Sequence, residues 1–173
     1  IRTGCAAQIN PIKYEEMDEV HLVIGNNEKL DEKIWKNINQ SNATIVNDIF
    51  KVSKTHRHLI EKFEGKARAY VEIQQGCNHR CTFCVIPFGR GNSRSVPIDI
   101  IVERINLLVN NGYNEVVLTG VDITDYGIDL PNSPNLFQLI KKILNFIPKL
   151  KQLRLSSMDC GEINDDFWDL LSE

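Results

Sequence analysis

Nothing in this sequence marks a membrane span, a secreted scaffold or a fibre. No apolar run approaches the roughly 18 residues that cross a bilayer. The opening Ile1-Arg-Thr-Gly-Cys5 lacks the basic-then-apolar pattern of a signal segment, and no methionine opens it. There is no internal repeat and no low-complexity tract. Glycine (10) and proline (6) stay at globular levels, and 42% of residues are hydrophobic, which argues against collagen, coiled coil and disorder. The five cysteines are an odd number in a chain that is not a short secreted domain, so a disulfide framework is not expected. A reducing, cytoplasmic setting fits better. At 173 residues the chain has room for one ordinary domain or two small ones, with a real buried core.

A net charge of −3 also argues against a generic nucleic-acid binder. The average conceals a split. Residues 1–50 hold five Lys/Arg against eight Asp/Glu, residues 51–94 nine against three, and residues 95–173 six against twelve. The central stretch alone is basic, and clustered positive charge can attract a phosphate backbone locally. A solvated basic linker explains residues 51–68 equally well, with His56 and His58 solvated in it.

Two rhythms divide the chain. His21-Leu-Val-Ile24 reads as a buried strand, Leu30, Ile34 and Ile38 recur at helical spacing with Asn27 as a cap, and Thr44-Ile-Val46 is a second strand. That is a βαβ pattern whose sheet starts in mid-fold. After the linker, Ala69–Ile73, Glu115–Leu118 and Gln152–Leu155 read as strands. Helix faces lie between them at Ile98, Ile101, Val102, Ile105, Leu108 and Val109, and at Leu136, Leu139, Ile140, Ile143, Leu144 and Ile147. Pro97 and Gly112 bracket the first helix, and Ser133-Pro134 is the expected start of the second. A last helix starts near Asp165, with Phe167 and Trp168 in the core. In parallel α/β folds sites gather at the carboxyl ends of strands. Gly76–Cys84, Thr119–Asp122 and Ser156-Ser157 each follow a strand in that way.

The chemical signal is Gly76-Cys77-Asn-His-Arg-Cys81-Thr-Phe-Cys84. Three thiolates from one loop can hold three irons of a 4Fe–4S cluster and leave the fourth iron open to a small molecule, whereas four-cysteine electron carriers close that position. The Cys-x3-Cys-x2-Cys spacing differs from the Cys-x2-Cys pairs usual for zinc. A zinc site would need a fourth ligand from His79, Cys5 or Cys160. Buried unligated thiols are the remaining reading. Spacing and strand context favour iron–sulfur.

These residues, with Phe83 before the last cysteine, resemble the radical S-adenosylmethionine superfamily. The longer string Gln75–Pro87, followed by Arg90-Gly-Asn-Ser-Arg94-Ser95, resembles its methylthiotransferases. Leu118–Gly127 and Arg154-Leu-Ser-Ser157 match as well, in wording similar to the branch that modifies N6-threonylcarbamoyladenosine beside the tRNA anticodon. Branches acting on isopentenyladenosine or a ribosomal protein fit less well. Thr3-Gly4-Cys5-Ala-Ala-Gln8 resembles the last of three cysteine motifs in that family's amino-terminal domain.

The resemblance implies an α/β chain. Residues 1–50 would be the C-terminal part of a cluster-binding domain, 51–68 a basic linker, and 69–173 the first half of a radical SAM (β/α) partial barrel. It implies a 4Fe–4S cluster on Cys77, Cys81 and Cys84, S-adenosylmethionine on its open iron, and an electron donor such as a flavodoxin or ferredoxin. The resulting deoxyadenosyl radical removes a hydrogen from the adenine ring, sulfur takes its place, and a second S-adenosylmethionine supplies the methyl group. Cys5 would serve a second cluster completed by cysteines upstream. Thr119, Gly120 and Val121 would meet the methionine amino group, Ser156 and Ser157 its carboxylate or the ribose, and Phe83 the adenine or the cluster. Arg90 and Arg94 would reach tRNA phosphate or stabilise the loop, and Cys160 would be a plain thiol. The family barrel continues for about three more strand–helix units, so the chain is expected to be part of a longer one. A non-catalytic zinc or iron–sulfur module is the reading from another class.

Overall fold

The computed structural model describes residues 1–37, 43–53, 55, 67–156, 158, 161, 163 and 165–172. In chain order the elements are β1 (Arg2–Thr3), α1 (Cys5–Ile9), α2 (Pro11–Glu15), β2 (Leu22–Ile24), α3 (Glu32–Lys36), β3 (Ala43–Ile45), β4 (Arg68–Glu72) and β5 (Gln74–Gln75). There follow α4 (Ile86–Arg90), β6 (Arg94–Ser95), α5 (Ile98–Asn110), β7 (Glu115–Thr119), α6 (Leu136–Phe146), β8 (Gln152–Leu155) and α7 (Asp165–Ser172). The described residues fall into two compact units, one of Ile1–His56 with Gly76–Asn92, the other of Arg57–Gln75 with Ser93–Glu173. Most of the expected linker, Lys54 and 56–66 with both histidines, lies outside the described residues. Among the described residues no helix is long and apolar enough to cross a membrane.

The first unit is built on a parallel sheet in the order β1-β2-β3. Leu22, Val23 and Ile24 are buried without alternation, as a central parallel strand covered on both faces requires. The expected βαβ unit is present, but its helix is broken. A 3-10 turn spans Glu28–Leu30, and α3 begins afresh because the Asp31 carboxylate accepts the Lys33 amide at 2.9 Å. Asp31 therefore caps α3, in place of Asn27. Ile38 lies outside the described residues. β1 supplies a strand that the sequence did not signal, and α1 and α2 are too short for periodicity to show.

The second unit carries the parallel sheet β4-β7-β8, with Ala69, Val71, Val116 and Leu118 in the core. Ile101, Ile105 and Leu108 of α5 and Leu139 and Ile143 of α6 are fully or almost fully buried with them. Each such side chain contributes about 1.5–3 kcal/mol by leaving water. α5 ends before Gly112, whose φ of 94° a side chain would resist. α6 starts two residues later than expected. Asn135 and Gln138 form a reciprocal capping box, while Ser133 stands before it at φ 42°. Phe167 packs on Phe137 at 5.4 Å between ring centroids, whereas Trp168 is exposed rather than core. Because β4, β7 and β8 are parallel, the chain leaves all three at one edge of the sheet, after Glu72, Thr119 and Leu155.

Candidate functional site

The cysteine loop is closed on itself before any metal is considered. Gly76 turns at φ 78°, and a Cβ there would collide with the Asn92 carbonyl. The Cys77 amide donates to the Gly91 carbonyl at 3.1 Å, and the Cys84 amide to the Cys81 carbonyl at 3.0 Å. Arg80 staples the middle: its guanidinium donates to the carbonyls of Cys77 and His79 at 3.0 Å each and to Asn92 Oδ1 at 2.8 Å. It also lies over the Phe50 ring at 5.6 Å. α4, with Pro87 in its first turn, carries the chain back to Gly91. A five-donor fork in the middle of a loop is a bracket that holds three acceptors at once.

None of the three cysteines is in a disulfide among the described residues. Cys77 is buried, Cys84 half-buried and Cys81 exposed. Among the described residues no three cysteine sulfurs, nor any two with His79, come within 4.8 Å of one another. Four ligands at about 2.3 Å on one zinc stand roughly 3.8 Å apart. A cubane puts each thiolate on its own iron and so accepts a wider spread. The donor set and its spacing therefore fit a polynuclear cluster better than a single ion. Phe83, expected against adenine or cluster, is 88% exposed.

Cys5 opens α1, and Gly4 ahead of it turns at φ 103°. The Cys5 sulfur accepts from Asn26 Nδ2 at 3.3 Å and from the Arg90 side chain. Burial raises the Cys5 pKa. The hydrogen bonds of Asn26 and Arg90, with the charges of Arg90 and Lys29, outweigh it and hold the thiol below its ordinary value. Arg90 is thus set beside the Cys5 sulfur. Arg94 is set inside as well, at 6% exposure and close to the charges of Glu72 and Asp129. Burial lowers its pKa against the opposing pull of those two carboxylates. The Arg94 guanidinium is thus enclosed in the fold.

At the carboxyl end of β7 the chain turns through Thr119-Gly120-Val121-Asp122. Gln74, fully buried, accepts the amides of Val121 and Asp122 at 2.9 Å each and donates to Ser93 Oγ at 2.8 Å. A Cβ on Gly120 would stand 2.9 Å from Gln74 Oε1, so glycine is what permits this approach. On the adjacent strand the Ser156 amide extends the ladder to the Leu118 carbonyl at 3.0 Å. Its hydroxyl is buried with no hydrogen-bond partner among the described residues. Ser157 and Cys160 lie outside the described residues. Tyr126 is core, its hydroxyl donating to the Val96 carbonyl at 2.6 Å, and Gly127 turns at φ 90° under the Pro134 carbonyl. The Tyr126-Gly127 loop is thus a structural turn.

Sequence reasoning missed Asn26, Gln74 and Arg80. Gln74 alone carried a usable signal: a long polar residue directly after the apolar Ile73, at a strand end beside a candidate site.

A model of the Radical SAM superfamily matches residues 71–173. A threonylcarbamoyladenosine tRNA methylthiotransferase MtaB from Rickettsia prowazekii (strain Madrid E) is 50% identical over 99% of this chain and 40% of its own length. The protein of the same name from Aquifex aeolicus (strain VF5) is 36% identical over 99% of this chain and 42% of its own. A putative methylthiotransferase of Helicobacter pylori (strain ATCC 700392 / 26695) is 35% identical over 99% of this chain and 40% of its own. The chain spans about two fifths of the length of these curated relatives.

Proposed function

Because the chain belongs to the radical SAM superfamily, we propose that Cys77, Cys81 and Cys84 hold three irons of a 4Fe–4S cluster and leave one iron to the amino and carboxylate groups of S-adenosylmethionine. The protein is then a methylthiotransferase that converts N6-threonylcarbamoyladenosine beside the tRNA anticodon to its 2-methylthio derivative. The observation that carries this reading is the bracketed loop with three spread cysteines, none in a disulfide among the described residues, inside the matched segment. The relatives' names support the substrate.

When bound, such a cluster supplies the electron that splits the sulfonium of S-adenosylmethionine. The residues of the chain bind and orient. The three thiolates ligate, and Arg80 keeps their loop from collapsing. Thr119, Gly120 and Val121 offer backbone to the methionine amino group in a turn held by Gln74. The unpartnered Ser156 hydroxyl, with Ser157, suits the carboxylate or ribose, and the exposed Phe83 ring suits adenine. Cys5 is a ligand of a second cluster whose other cysteines lie outside this chain. A flavodoxin or ferredoxin serves as reductant in the cytoplasm. Residues 1–50 then end one cluster domain, 51–68 link, and 69–173 begin the radical domain.

Anaerobic reconstitution of the intact protein with iron and sulfide tests this. The expected result is a brown protein that releases 5′-deoxyadenosine when reduced, with that release lost in Cys77→Ala, Cys81→Ala or Cys84→Ala. A colourless protein holding zinc overturns it. Mass spectrometry of tRNA from cells lacking the gene tests the substrate: loss of the methylthio group from N6-threonylcarbamoyladenosine supports the reading, and its retention overturns it.

A further inference from the structure

A chain of part-buried polar contacts runs from Glu28 to the Cys5 sulfur, and neither cluster accounts for it. Glu28 Oε1 accepts from Asn47 Nδ2 at 2.9 Å, and the Asn47 carbonyl accepts from Gln8 Nε2 at 2.8 Å. Gln8 Oε1 accepts the Asn26 amide at 2.9 Å. The Asn26 side chain then divides: Nδ2 donates to the Gly89 carbonyl at 2.6 Å and to Cys5 Sγ at 3.3 Å, while Oδ1 accepts from Lys29 Nζ at 2.8 Å. The orientation of that carboxamide is not free. An ammonium can only donate and a carbonyl can only accept, so oxygen must face Lys29 and nitrogen must face Gly89 and the sulfur.

Two glycines make the arrangement possible. A Cβ at Gly25 would collide with the Glu28 carboxylate and stand 2.7 Å from Gln8 Oε1. A Cβ at Gly89 would stand 2.8 Å from the Cys5 Cβ and 3.3 Å from its sulfur. α1 and α4 therefore touch at Cys5 and Gly89, and Asn26 pins that contact from a third element, the turn after β2. α4 begins two residues after Cys84, so whatever holds α4 also holds the end of the cysteine loop.

We propose that Asn26 is a positioning residue: it locks the Cys5 sulfur against α4, and this lock couples sulfur chemistry at Cys5 to radical chemistry at the Cys77–Cys84 loop. The inference rests on the function proposed above. It differs from a general stabilising role in one respect. Loss of the lock should leave both sites formed but poorly coordinated with one another, so that S-adenosylmethionine is cleaved without productive sulfur insertion.

The test uses the intact, reconstituted protein with two variants that attack the contact from opposite sides, Asn26→Ala and Gly89→Ala. The readouts are iron content, 5′-deoxyadenosine formed per methylthio product, and hydrogen exchange of residues 5–9 and 86–91. The expected result is iron content within twofold of the parent, about tenfold more deoxyadenosine per product, and faster exchange of both helices together. An unchanged product ratio in both variants overturns the proposal. So does loss of iron from both, which makes the contact merely structural, and so does unaltered exchange. A parent protein that cleaves no S-adenosylmethionine overturns the proposed function instead, and the exchange experiment then still reports whether Asn26 and Gly89 lock the two helices.

Discussion

Gln74 Oε1 receives the backbone amide of Val121 at 2.9 Å. One buried side chain of β5, two residues past the end of β4, thereby fixes the turn after β7. The same oxygen takes the Asp122 amide, and the nitrogen takes Ser93, so the carboxamide is used on both sides. Replacing it strands buried donors, each of which costs about 1–3 kcal/mol when left unmet. Gln74→Ala should lower unfolding stability by about 2–4 kcal/mol on that basis. It should also weaken S-adenosylmethionine binding more than Gln74→Glu does, since glutamate keeps the acceptor. Equal binding by the parent and both variants in equilibrium titration would remove Gln74 from the site.

Tyr126 gives the protein a defined alkaline limit. Burial raises its phenol pKa first, and the negative charges of Asp129 and Asp99 raise it further above the ordinary 10.0. A group whose folded pKa is raised contributes stability that is full below its unfolded pKa and is lost as pH climbs towards the folded one. Stability should therefore fall with a Tyr126-dependent slope above about pH 10. Tyr126→Phe should flatten that slope while costing about 1 kcal/mol at neutral pH through the lost bond to Val96. Denaturant midpoints measured from pH 8 upward check both; parallel slopes for the two proteins would contradict the assignment.

The start of α6 separates what the sequence offered from what the chain does. Ser133-Pro134 reads as a cap and first-turn proline. The structure caps with Asn135, two-way bonded to Gln138 at 2.9 and 3.2 Å. Asn135→Ala should cost about 1 kcal/mol. Ser133→Ala should cost clearly less, because its hydroxyl donates to the Ile128 carbonyl at a long 3.5 Å and caps no helix amide among the described residues. Chemical denaturation of the two variants decides between the positions.

Much of the architecture was legible because it repeats. α5, α6, β7 and β8 are long or apolar enough for a period to emerge, and their residues are the ones buried together. The five-residue helices α1 and α4 complete barely one turn each, so no period could mark them. The cysteine spacing was legible for a different reason: three thiols in one short loop are rare without a metal role. Asn26 and Arg80 were not legible: two of the three Arg80 partners are backbone carbonyls, which no side-chain pattern records, and Asn26 joins Cys5 and Gly89 across 21 and 63 residues of sequence. Arg94 reads in sequence like any basic residue on a glycine-containing loop. Only the fold reveals the two carboxylates close to it.

The central claim is that three thiolates leave one iron open to S-adenosylmethionine. Electron–nuclear double resonance on the reduced, reconstituted intact protein addresses it directly, with S-adenosylmethionine labelled at the methionine nitrogen. The account predicts a nitrogen coupling that appears only with the labelled molecule and is absent in Cys81→Ala. A cluster spectrum that the molecule leaves unchanged, with no labelled coupling, would contradict it.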